Sequence, residues 1–81
     1  MAKRKSEEER IKERILYHRK RIEVYNRAKK VLYKAMGAEN LDEDVYHVLL
    51  MLDRVLDGWI LSAKVSIYML EDRLVDLKRR L

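Results

Sequence analysis

The sequence predicts an all-α fold: a two-helix antiparallel hairpin that self-associates into a four-helix bundle or a larger helical assembly. Three observations carry this expectation. The proline-free chain of 81 residues is interrupted at Gly37-Ala38-Glu39-Asn40-Leu41. On both sides of that break, apolar residues recur every three or four positions, the period of an amphipathic helix. The second arm also carries apolar residues on two nearly opposite sides, and one antiparallel neighbour covers only one of them.

Residues 1–5 form a basic tail containing Lys3, Arg4 and Lys5, and residues 6–81 form a single hairpin domain. Helix 1 is expected over about residues 6–36. Ser6 and Glu9 have the spacing of a capping box, in which each side chain satisfies a free backbone N–H of the first turn. Gly37 can end the helix by taking the left-handed conformation.

Helix 2 is expected over about residues 41–80. Asn40 and Glu43 repeat the capping spacing, Asp42 and Asp44 suit the positive end of the helix dipole, and Lys78, Arg79 and Arg80 suit its negative end. At about 1.5 Å per residue the arms are roughly 46 and 60 Å long. Helix 2 then overhangs its partner from Glu71 to Leu81, with Leu70, Leu74, Leu77 and Leu81 continuing one stripe.

On a helical wheel, Ile11, Ile15, Ile22, Tyr25, Leu32 and Met36 share one sector of helix 1. Helix 2 has a main stripe of Val45, Leu49, Leu52, Leu56, Trp59, Ala63, Leu70, Leu74 and Leu77. Leu50, Met51, Leu61, Val65, Tyr68 and Met69 cluster on nearly the opposite side. That second face, with Leu74 and Leu77 of the overhang, is the expected oligomer interface. A dimer is the expected assembly, with helix 2 inside and helix 1 outside.

Composition narrows the remaining choices. A two-helix chain has a single seam in which to bury apolar surface, and without cysteine it has no disulfide or thiolate metal site to compensate. No uncharged run approaches the roughly 18 residues of a spanning helix, and the start lacks the apolar stretch of a secretory signal. A soluble cytoplasmic protein with no membrane contact is expected. Charged residues make up 41% of the chain, while glutamine, threonine, phenylalanine, proline and cysteine are missing. This profile fits a hyperthermophile protein and equally a de novo design built from strong helix formers.

Charge is unevenly shared. Through Met36 there are 13 basic against 5 acidic residues, a balance of +8; from Gly37 onward there are 6 against 9, a balance of −3. Lys12, Arg19, Arg27, Lys30 and Lys34 fall in one arc of helix 1, and with Lys3, Arg4 and Lys5 they form a candidate strip for DNA or RNA phosphates. No nucleic-acid-binding motif accompanies it. The same charges also read as a solvated surface in which Glu8 with Lys12, Glu23 with Arg27 and Asp76 with Arg80 stabilise single helices.

Several smaller constellations have ordinary readings. Gly58, Ser62 and Ser66, spaced by four, read as a close helix crossing, or as a ligand cleft beside Trp59. Tyr17, Tyr25 and Tyr33 read as packing residues rather than base-stacking platforms. Glu43, Asp44 and His47 have metal-ligand spacing, but the facing end of helix 1 supplies Lys29, Lys30 and Lys34, which repel a cation. Asp53 and Asp57 read as a solvated polar strip, and His18 as a polar residue in a core stripe, where it sets register and can make assembly pH-sensitive. Neither a nucleophile with an identifiable base nor a glycine-rich phosphate loop is present. The expected function is therefore that of a non-enzymatic, cofactor-free interaction or structural protein, with nucleic-acid binding as the alternative.

Overall fold

A computed structural model describes residues 5–80 and shows the predicted all-α hairpin, with α1 at Glu7–Met36 and α2 at Glu43–Arg79 packed antiparallel. The molecule measures 60 × 28 × 14 Å, one helix long, two helices wide and one layer thick. No described helix is long and apolar enough to cross a membrane. Lys3, Arg4 and Leu81 lie outside the described residues.

Ser6 caps α1 as its spacing requires, its side-chain oxygen accepting from the Glu9 N–H at 3.2 Å. The other two ends differ from expectation. Gly37 has φ −84° and ψ 2°, so α1 closes without a left-handed residue. The Gly37 N–H donates to Tyr33 O at 3.1 Å, and the Ala38 N–H donates to Ala35 O at 3.2 Å. Helix α2 is capped by Asp42, not Asn40, with the Asp42 carboxylate accepting from the Asp44 N–H at 2.8 Å. Starting two residues later keeps Leu41 in the loop, where it is half-buried.

In α1 the inward positions are Ile11, Ile15, His18, Ile22, Tyr25, Lys29, Leu32 and Met36, alternating steps of four and three. In α2 they are Leu49, Asp53, Leu56, Ile60, Ala63, Ile67, Leu70, Leu74 and Leu77, with the same alternation. This is the repeat of a two-stranded coiled coil, in which a 3.5-residue period holds one seam against the partner. The seam is rotated from the expected stripe. Val45, Leu52 and Trp59 stand exposed, while Ile60 and Ile67 face α1. The reason is Asp53, which occupies a seam position and makes that column of the helix read as polar.

Asp53 is tolerated in the seam because Lys29 comes to meet it. Lys29 Nζ lies 3.4 Å from Asp53 Oδ1, both side chains only 17% exposed, and it also pairs with Asp57. Asp53 Oδ1 is buried without a hydrogen bond, so the lysine is its sole compensation. The hydrogen bond to Asp57, then that to Tyr33 and the pairing with Asp53, hold the Lys29 ammonium above the usual lysine range against the opposing effect of burial. A raised folded-state value means that this stabilisation is complete below the ordinary lysine pKa. It is lost as pH rises through the raised value, well into the alkaline range.

Removing one partner should therefore cost more than removing both. Lys29→Met is expected to lower the thermal midpoint by on the order of 5 °C. Joint replacement of Lys29 and Asp53 by leucine should restore the wild-type midpoint or exceed it. Circular dichroism melts of the three proteins check this, and a double variant as unstable as Lys29→Met would show that the pair is not what matters.

The expected overhang from Glu71 to Leu81 is also corrected. Arg73 pairs with Glu7 at 2.8 Å and Arg19 with Glu71 at 3.1 Å, and Leu70, Leu74 and Leu77 are half-buried. The excess length of α2 falls at the loop end, where Val45, Tyr46, His47 and Val48 are all exposed. Arm lengths alone do not say at which end the surplus sits.

Candidate interaction surface

The hairpin buries little. Among the described residues only Ile11, Ile15, Leu32 and Ala63 are buried, and no large side chain is fully enclosed. The large apolar residues left in water concentrate on α2, on the side away from α1. Tyr68 is 78% exposed, Met69 69%, Met51 64%, Leu61 63% and Val65 50%. Of the other residues expected at an oligomer interface, Leu50 is half-buried, and Leu74 and Leu77 belong to the inner seam with α1.

Val48, Met51, Val55, Gly58, Ser62, Val65 and Met69 follow one another in steps of three and four, and all are exposed. The outer side of α2 thus carries a second coiled-coil stripe, interrupted at its centre by two small residues. The helical wheel assigns Val48 and Val55 to neither face. Their membership becomes visible once the inner seam is fixed, because the two stripes lie back to back. Gly58 stands mid-helix, and a Cβ built on it would meet nothing within 4 Å. Nothing inside the hairpin asks for glycine there, although glycine costs a helix about 1 kcal/mol relative to alanine.

A groove of about 240 Å³ runs along one side of the inner seam, lined by Tyr17, His18, Arg21, Tyr25, Trp59, Ser62, Ala63 and Ser66. The Tyr25 and Trp59 rings lie 5.6 Å apart, the Arg21 guanidinium sits 5.0 Å from the Tyr25 ring, and its Nε donates to the Tyr25 hydroxyl at 3.3 Å. Arg21 is thereby engaged by the protein itself. His18 is half-buried in the seam between helices of one chain, its ring 5.4 Å from that of Tyr17.

The basic strip of α1 is partly neutralised. Lys5 pairs with Glu13, Lys12 with Glu8 at 3.1 Å, and Arg19 with Glu71 at 3.1 Å. Arg27, Lys30 and Lys34 are exposed and enter no ion pair among the described residues. His47 Nε2 stands 3.8 Å from Glu43 Oε1, both in solvent, and no three His, Asp or Glu side chains gather where they could hold a metal among the described residues.

Comparison with protein-family models, with curated proteins and with solved structures returns no match.

Proposed function

We propose that this chain is a self-assembling helical hairpin, a non-enzymatic interaction or structural protein in which α2 forms the oligomer core and α1 faces outward. One observation carries the reading: α2 has two coiled-coil stripes, and α1 occupies only one of them. A contiguous apolar face of this kind marks an interaction site on a soluble protein. A thin, single-layer molecule with four buried apolar residues among those described gains the rest of its core by covering that face.

The alternative, a nucleic-acid-binding protein acting through the basic strip, has weaker support. Lys5, Lys12 and Arg19 already pair with carboxylates, which leaves Arg27, Lys30 and Lys34 as the cations of that arc with no ion pair among the described residues. Light scattering over a range of concentrations tests the main reading. A mass of at least twice the 9.8 kDa chain is expected at micromolar concentration, and a folded monomer at every concentration would exclude self-assembly.

A further inference from the structure

The segment of the outer stripe of α2 from Met51 to Met69 is palindromic. From its two ends toward its centre it runs Met51, Val55, Gly58 and Met69, Val65, Ser62, so that it carries methionine, then valine, then a small residue in either direction. We infer that the stripe pairs with the same stripe of a second copy, antiparallel, about a two-fold axis passing between Gly58 and Ser62. The inference rests on the self-assembly reading above and adds to it the partner, the orientation and the register.

An isologous interface must be complementary to itself, with each residue facing its mirror position. A parallel pair needs no palindrome, because each residue then faces its own copy; a palindrome is what lets an antiparallel pair set like against like. Met51 then faces the partner's Met69, Val55 faces the partner's Val65, and Gly58 faces the partner's Ser62. Large residues meet at the flanks, and small residues at the middle let the two backbones approach. This supplies the reason for Gly58 that the hairpin lacks, since open space surrounds it within one chain.

Residues beside the stripe agree. Trp59 and Leu61 flank its centre on opposite sides, both more than half exposed, and each meets its own copy across the axis. Acidic residues bound this seam at both ends. Asp44 precedes Val48 in the stripe, and Asp72 and Asp76 follow Met69. In the antiparallel register Asp72 faces the partner's Val48 and Asp76 faces the partner's Asp44, so the apolar contact runs from Met51 to Met69.

Because the chain contains no cysteine, single cysteines report the register directly. Val55→Cys and Val65→Cys are prepared separately, their masses are measured under reduction, and each is then oxidised alone and as an equimolar mixture. In the antiparallel register the two copies of position 55 are ten residues apart, about 15 Å along the axis. That exceeds the Cα separation of about 7 Å beyond which a disulfide cannot close. A covalent dimer is expected from the mixture and from neither variant alone.

Covalent dimers from each variant alone would mean parallel pairing and overturn the inference. A dimeric mass under reduction with no covalent dimer in any sample would overturn the register while leaving self-assembly standing. Monomeric masses for both variants and for the unaltered chain would overturn both.

Discussion

Val65→Glu should convert the assembly into a folded monomer. In the hairpin Val65 is half exposed, and glutamate forms helix at least as well as valine, so a single chain has little reason to lose structure. In the proposed pair the same position would lie inside the seam, opposite an apolar residue of the second copy, and the two-fold symmetry would bury the carboxylate twice. At about 2 kcal/mol for each poorly compensated polar group, the dissociation constant should rise by roughly three orders of magnitude. Sedimentation equilibrium with circular dichroism separates the two effects: the mass should fall to one chain while helicity at high concentration stays close to wild type. Lys30→Glu, on the exposed side of α1, serves as the control and should leave the mass unchanged. A Val65→Glu protein with the wild-type mass would remove the outer face of α2 from the interface.

Much of the hairpin was legible because its signals are local. Ser6 needs only the backbone three residues ahead of it to make a cap, and the apolar sector of α1 is one-sided, so helix and inward face both follow from spacing. The start of α2 was placed two residues early because Asn40 and Glu43 have capping-box spacing, whereas Asp42 is as competent a cap and wins, leaving Leu41 half-buried in the loop. The inner stripe of α2 was misplaced for a long-range reason. Asp53 is polar in sequence and becomes acceptable in the seam only through Lys29, which lies 24 positions earlier. A buried ion pair is therefore invisible to a wheel drawn on one helix. The outer face survived the error, since most of its large residues belong to neither version of the inner stripe.

Gly58→Leu should push helix stability and assembly in opposite directions. Within one chain the position is open, with nothing within 4 Å of a Cβ, so replacing glycine removes a helix penalty of about 1 kcal/mol without a clash. At low concentration, where the hairpin stands alone, the melting midpoint should rise by about 5 °C for a domain of this size. In the proposed pair, leucine would enter the place where two backbones come closest, and it would do so twice. Overpacking of about 1–3 kcal/mol at each copy should weaken association at least about 30-fold. Gly58→Ala, adding one methyl group, should keep nearly all of the helix gain and lose less of the affinity. The contrast in sign distinguishes a glycine retained for contact from one merely tolerated. If Gly58→Leu melts higher and still associates as the wild type does, the crossing point of the two helices lies elsewhere on α2.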